Sequence, residues 1–461
     1  MAAPDNRPAP QDAVVIVPGI MGSGLRDTTT GRVLWSTSDL RWYWRAWTRR
    51  DGLRGLALDE DELAGKAGRV EPAGLLAVPG WVPFLGGLGP YTPLVDAMRA
   101  AAADPAAVTT FPYDWRLPVE HNARLLADAM DDHLTRWRRN EAQAEARRRD
   151  PDGRPAQIVL VAHSMGGLLA QALSLIPGAT ADIRTTITIG TPFYGAVKAA
   201  LILSTGKGTP VRLPREKLRD TARTMPGLHD LLPTYRCVHN GAEPGFLDAG
   251  TVHRIGGDKD LAGKSRAFHD RLDQRPLVGH HSVVGVAQQT AQGLEIRDGV
   301  VTAVHEAFGY RPDGSLVTRD MAGDGTVYWE SAAFVEGHHE IAHQHGTLAS
   351  AAEAISLVRA LFLRPGGRPR PMLGAAALGM GVPDVVDANE QFDVRLTAID
   401  AQVSVYELTG HRPADPVRVT GPAWHDGVPV ARLSLERPGL YRIEAAGGSS
   451  SPISQTVLVD G

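Results

Sequence analysis

Val159-Leu160-Val161-Ala162-His163-Ser164-Met165-Gly166-Gly167 decides how the chain is read. Four apolar residues run directly into a histidine, a serine and two glycines, so a buried strand stops on a hydroxyl. A strand, then small-x-Ser-x-Gly, then a helix is the pattern of a nucleophile elbow. The turn is so sharp that the positions two before and two after the serine must be small. Gly166 fills the later one, and Ala162 stands at the earlier one, where the usual pattern has glycine. Such a turn lifts the hydroxyl above the sheet edge and sets it at a helix N-terminus, where free N–H groups favour a developing negative charge. His163 is expected to pack against the elbow, with its side chain turned away from the hydroxyl.

A serine hydroxyl becomes a good nucleophile only with a base in hydrogen-bond reach and a carboxylate that orients the base. On this pattern the chain order is Ser, then Asp or Glu, then His. Asp324 lies in the Gly-flanked run Met321-Ala322-Gly323-Asp324-Gly325-Thr326-Val327, and His345 in His343-Gln344-His345-Gly346-Thr347-Leu348. Four histidines (His338, His339, His343 and His345) crowd this last stretch. Their spacing matches no common metal site, and His345, followed by glycine and an apolar helix, is the expected base, with His343 as the alternative. Two backbone N–H donors are needed for the oxyanion. Met165 supplies one. The loop Pro18-Gly19-Ile20-Met21-Gly22-Ser23 supplies the other, with Ile20 the candidate and Gly19 allowing close approach.

Around the elbow the chain alternates. Val14-Val15-Ile16-Val17 predicts a buried strand, residues 91–103 a helix capped by Thr92, and residues 118–149 one long exposed helix. Residues 158–161, 185–189 and 282–287 predict further strands, with helices over 168–176 and 346–363. This is the signature of a mostly parallel sheet covered on both faces. Two stretches break the alternation. Residues 35–90 concentrate Trp35, Trp42, Tyr43, Trp44, Trp47, Trp81 and Phe84, and residues 195–275 are Gly/Pro-punctuated helical fragments. Both are long enough to form a cap or lid. The aromatics of the first read equally as a lipid-facing surface or as a subdomain core. The expected organisation is a flexible N-terminus over 1–12, a hydrolytic domain over 13–363, a Pro/Gly-rich linker over 364–372 and a small Ig-like β-sandwich over 373–461. In that last region short runs alternate: Phe392/Val394/Leu396, Val403/Val405, Val417/Val419, Leu433/Leu435 and Tyr441/Ile443.

The 461 residues, 43% hydrophobic with a net charge of -4, suffice for a large core and point to no nucleic-acid partner. Cys237 is the single cysteine, which rules out a disulfide within the chain. No apolar run is long enough to span a membrane, and MAAPDNRPAPQD lacks the apolar core of a secretory signal, so a cytoplasmic protein is expected.

Five segments together resemble the lecithin:cholesterol acyltransferase-like branch of the α/β-hydrolases. They are Val14 through Ser23; Phe111-Pro112-Tyr113-Asp114-Trp115-Arg116; Ala162 through Gly167; Thr186 through Ala196, with its Gly190-Thr191-Pro192; and Gly323 through Val327. The resemblance covers residues 14–363 and leaves the C-terminal β region outside. It implies an acyl-enzyme mechanism on lipid esters with no cofactor and no metal: Ser164 attacks, His345 shuttles the proton, Asp324 holds His345, and the Ile20 and Met165 N–H groups bind the oxyanion. Asp114 and Arg116 match a family motif and are expected to support the site structurally. Family members that act on lipoproteins are disulfide-bonded, with an early loop pinned by cysteines. Here that loop has no cysteine. Hydrolysis of lipid or phospholipid esters leads, acyl transfer to an alcohol follows, and the appended β region leaves open a third reading, a lipase effector regulated by a protein partner.

Overall fold

The computed structural model describes residues 10–36, 52–76, 91–149, 153–206, 214–239, 243–273, 275–297, 300–310, 315–335, 338–363, 378–383, 385–407, 416–447 and 452–460. The expected linker at 364–372 lies outside these residues, as do most of the N-terminus at 1–12 and Trp42, Tyr43, Trp44, Trp47, Trp81 and Phe84.

A six-stranded sheet carries the molecule. Its strands are β1 (Ala13–Val17), β2 (Val108–Thr110), β3 (Ile158–His163), β4 (Ile183–Ile189), β5 (His280–Val286) and β6 (His339–Ala342), in the order β6-β5-β4-β3-β1-β2. Every neighbouring pair is parallel. The strands read as continuous apolar runs because both faces are covered. Along β1 and β3, Ala13, Val15, Val17, Ile158, Leu160 and Ala162 enter one core, while Val14, Ile16, Val159 and Val161 enter the other. Against the first face pack α2 (Val119–Arg138) and α4 (Met165–Ala172); against the second, α1 (Thr92–Ala101) and α5 (Ala352–Leu363). Fully burying one such Val, Ile or Leu side chain is worth about 1.5–3 kcal/mol, and this stiffens the frame from which the strand-end loops project.

Several elements depart from the expectation. The long helix over 118–149 is two, α2 and α3 (Glu141–Arg149), because the Asn140 side chain accepts the Ala142 N–H at 2.8 Å and starts a new helix. Nor is α2 exposed all round: Val119, Ala123, Leu126, Met130, Leu134 and Trp137 are buried. The helix over 346–363 is interrupted after Leu348, where the Ser350 hydroxyl bonds back to the Thr347 carbonyl at 2.8 Å. Thr92 is the first residue of α1, one position after its cap Tyr91. Residues 195–275 are not purely helical. Arg236–His239 and Pro244–Phe246 join Gly293–Arg297 and Val300–Val304 in a four-stranded sheet.

The C-terminal region holds two further sheets around one core. Phe392, Val394, Leu396, Val403, Val405, Leu433, Leu435, Tyr441 and Ile443 point inward as expected. Val417 and Val419 do not. The edge strand Arg418–Thr420 pairs so that Val419 stands opposite Ser404, on the outer face.

The Pro-Tyr-Asp-Trp-Arg loop follows β2 and is anchored by a buried charge cluster. Arg116, fully inaccessible, donates through Nε and Nη2 to Asp114 at 2.9 and 2.6 Å, and through Nη2 to Glu62 at 2.7 Å. Arg69 closes the cluster on Glu62 at 2.6 Å. Replacing Arg116 by Met is expected to cost about 3–5 kcal/mol, because Asp114 is left as a buried charge without its guanidinium. Urea unfolding of the variant against the parent chain measures it.

Candidate active site

The elbow follows from the end of β3. Ser164 has φ 53° and ψ -127°, a region that costs a non-glycine residue about 1–3 kcal/mol unless its surroundings hold it. They do: the Ser164 N–H donates to Ile189 O at 2.8 Å, and α4 begins at the next residue. The small residues are required by contact. A Cβ at Gly166 would lie 2.6 Å from Pro18 O, and one at Gly167 would lie 1.9 Å from Thr191 Oγ1. Across the elbow lies the loop after β1, so close that a Cβ at Gly19 would stand 2.7 Å from Ser164 Cβ.

Four buried rings fix that loop. Tyr113 Oη donates to Pro18 O at 3.1 Å, Trp115 Nε1 to Ser23 O at 3.1 Å, and Trp35 Nε1 to Met21 O at 2.9 Å. Tyr91 Oη accepts the Gly19 N–H at 2.9 Å. Among the described residues no hydrogen-bond partner takes up the N–H of Ile20 or of Met165. The Met165 N–H is the first of a helix and has no carbonyl to meet within it.

The remaining polar groups arrive from the far edge of the sheet. His345 Nε2 lies 2.8 Å from Ser164 Oγ, and His345 Nδ1 lies 2.7 Å from Asp324 Oδ2. A carboxylate only accepts, so Nδ1 carries the proton and Nε2 accepts the serine O–H. Asp324 is fully buried; its Oδ1 accepts the N–H groups of Thr326 and Val327 at 3.0 and 2.7 Å, and its carbonyl accepts the His345 N–H at 2.7 Å. Two glycines make room for this pair. A Cβ at Gly285 would lie 2.4 Å from Asp324 Cβ, and one at Gly190, where φ is +57°, 3.0 Å from Asp324 Oδ2. His343 is turned elsewhere, its Nδ1 2.9 Å from Thr347 Oγ1. The hydrogen bonds of Asp114 and Arg116 go to each other, to Glu62, Leu56, Leu117, Asn122 and Gly227, and not to Ser164, Asp324 or His345. Among the described residues no group of three or more His, Cys, Asp or Glu side chains could hold a metal ion.

Sequence reasoning missed Tyr91 and understated His163. The His163 Nε2 donates to the His345 carbonyl at 3.1 Å, and its Nδ1 accepts the Tyr91 O–H at 2.8 Å. A relay therefore runs from the Gly19 N–H through Tyr91 and His163 to the backbone of His345. It works only with a neutral imidazole, since a second ring proton would face the phenol's own. Burial, reinforced by the neighbouring His345 ring, lowers the His163 pKa to about 3. No periodicity could have signalled Tyr91, which lies 72 residues from His163 in sequence.

A narrow, mostly apolar pocket lies beside the loop after β1. Ile20, Met21, Trp35, Leu53, Leu56 and Trp115 line it together with Ile202, Leu218, Thr221, Ala222, Met225 and Leu228. Both sequence insertions contribute walls to it.

The family model described as Lecithin:cholesterol acyltransferase matches residues 88–244, which include the Pro-Tyr-Asp-Trp-Arg, elbow and Gly-Thr-Pro segments. This bears out the resemblance read from those motifs. An uncharacterized protein of Saccharomyces cerevisiae is 29% identical over 180 residues, 39% of this chain and 23% of its own length, so the chain matches under a quarter of that relative. Among solved structures, a chain of the Tle4–Tli4 complex aligns with a TM-score of 0.51 and 16% identity, over 76% of this chain and 97% of that one. The mature Bacillus licheniformis lipase BlEst2 aligns at 0.34 and 14% identity, over 79% of this chain and 96% of that one. The fold is that of an α/β-hydrolase with additional small antiparallel sheets toward the C-terminus.

The His163 relay has a pH signature. With a folded pKa of about 3 against an ordinary 6.5, its stability is present above pH 6.5 and is lost as pH falls through that window. A His163→Gln variant keeps a donor and an acceptor but cannot be protonated. Its urea midpoint is expected to fall less than the parent's between pH 7 and pH 4.

Proposed function

We propose that the chain is a serine acyl hydrolase that cleaves lipid or phospholipid carboxylic esters through an acyl-enzyme. The observation that carries this reading is the unbroken hydrogen-bonded line Asp324–His345–Ser164, ending beside two backbone N–H groups without partners among the described residues.

The mechanism follows from the atoms. As Ser164 Oγ attacks the ester carbonyl, His345 Nε2 takes its proton, and Asp324 Oδ2 accepts from Nδ1 and stabilises the imidazolium. The carbonyl oxygen becomes an oxyanion facing the N–H groups of Ile20 and Met165, where losing one such donor costs about 3–4 kcal/mol of transition-state stabilisation. His345 then returns the proton to the departing alcohol. Water, activated by the same ring, releases the acid. Asp114 and Arg116 support this from a distance, through the loop whose Tyr113 and Trp115 bracket Gly19 to Gly22.

The pocket has room for about one water as it stands, so an acyl tail reaching past Ile20, which belongs both to the oxyanion loop and to the pocket wall, requires the two insertions to part. The described wall residues of the two insertions, Trp35, Leu53 and Leu56 on one and Ile202, Leu218, Met225 and Leu228 on the other, act in this reading as a cap over that tail. Trp35 is a buried wall residue, which supports the core interpretation at that position. Transfer of the acyl group to an alcohol is the second reading, favoured by the description of the matching family. Both reactions share the acyl-enzyme and differ in what reaches it. The exposed Trp424 and Val419 on edge strands of the C-terminal sheets, with exposed Val417 and Val428 beside them, support a third element, contact with a protein partner or a lipid surface. Among the described residues no helix is long and apolar enough to cross a membrane.

Ser164→Ala is expected to lower kcat/KM on short- and long-chain esters by roughly 10³-fold or more and to abolish labelling by a fluorophosphonate. Hydrolysis at the parent rate by this variant sinks the assignment. Adding glycerol to the assay separates the two reactions by the ratio of acyl glycerol to free acid.

A further inference from the structure

One inaccessible glutamine sits where the acid loop, the base loop and the C-terminal sheets meet. Gln288 follows β5, and its N–H donates to the carbonyl of Gly323, the residue before Asp324, at 2.9 Å. Its side-chain Oε1 accepts from Gln344 Nε2 at 3.1 Å, and Gln344 is the residue before His345. The same oxygen accepts the Met380 N–H at 3.2 Å, from the strand Met380–Gly381 at the edge of a C-terminal sheet. Gln344 Nε2 also donates to Oε1 of Gln455 at 3.3 Å, on the strand Ile453–Asp460 of the other C-terminal sheet. Gln455 is itself fixed by donating to Val382 O at 3.0 Å.

The junction is tight. A Cβ at Gly379 would lie 2.0 Å from Ala287 O, and one at Gly381 would lie 3.0 Å from Gln289 Oε1. On the other side, a Cβ at Gly325 would lie 2.6 Å from Gln344 Oε1, so Gln344 is wedged between the acid loop and the C-terminal region. Gln288 is buried, so an unpaired Oε1 there is costly, and Gln344 satisfies it while tying it to Gln455.

We infer that the C-terminal β region is an internal clamp on the acid and base loops, with Gln288, Gln344 and Gln455 as positioning residues. None of the three touches the reacting atoms. Gln455 holds Gln344, and Gln344 sets where the next residue's ring stands between Asp324 and Ser164. The inference rests on the proposed roles of those three residues. It gives the C-terminal region a task within the chain, on a surface separate from the exposed edge at Trp424.

The test uses the full-length chain with Gln455→Leu, Gln344→Leu and the double replacement. For a water-soluble ester, kcat is expected to fall roughly tenfold at unchanged KM, as small misplacements of a reacting group do. Amide exchange over residues 320–328 and 343–349 is expected to rise while that of β3 does not change. The double variant is expected to lose less than the sum of the two single losses, since both single changes break the shared Gln344–Gln455 contact, while Gln344→Leu also loses Gln288 and Gln455→Leu also loses Val382 O. Parent-like kcat and exchange in Gln455→Leu, or losses that add in the double variant, overturn the clamp. If Gln455→Leu fails to fold, Gln344→Leu breaks the same contact from the other side and is read by the same criteria. Exchange needs no substrate. Coupled exchange in a chain that hydrolyses no ester therefore overturns the hydrolase reading and supports the clamp, whereas an active parent with indifferent exchange overturns the clamp alone.

Discussion

A serine held at φ 53° is the constraint on which the rest of the structure depends. That conformation is unfavourable for any residue with a Cβ, and it survives here because β3 is hydrogen-bonded on both sides right up to it. The strained turn raises Ser164 Oγ, and it also dictates composition around it. Gly19, Gly166 and Gly167 each lie where a Cβ would meet backbone or side-chain atoms well inside contact distance. A stiff parallel sheet is thus the means by which a hydroxyl is held against both a loop and a helix end.

The groups that gather at that hydroxyl are each tied down twice. Asp324 holds His345 by its side chain and by its carbonyl. His163 joins the backbone of His345 to Tyr91, and Tyr91 joins the loop after β1. The loop is gripped from below by Tyr113, Trp115 and Trp35. Displacing His345 therefore strains the loop after β1, and the reverse also holds, although the two are far apart in sequence. Gln288, Gln344 and Gln455 extend the same bracing to the C-terminal sheets.

The parts of this arrangement visible in the sequence are those with a short-range signature. The β-branched runs gave the central strands, with bounds moved by one or two residues. The small residues flanking Ser164 gave the elbow, and Gly323-Asp324-Gly325 gave a loop in the right place. Short strands were missed: β2 has three residues and β6 four, the latter hidden in a histidine-rich stretch, and neither is long enough to show a period. The break at Asn140 turns on one side-chain hydrogen bond that a helical pattern does not register. Val417 and Val419 alternate as a core strand should, but the pairing register decides which face is inward.

By itself, then, the sequence determined the kinds of element, the strained turn and the set of residue types able to do nucleophilic chemistry, because each follows from local sterics or periodicity. Which histidine meets Ser164, which ring supports Gly19, and that residues 344 and 455 share a hydrogen bond were decided only in the tertiary structure. Those contacts join positions tens to hundreds of residues apart. They are fixed by the order of strands in the sheet and by the shape of the packed interior, neither of which leaves a trace in local pattern.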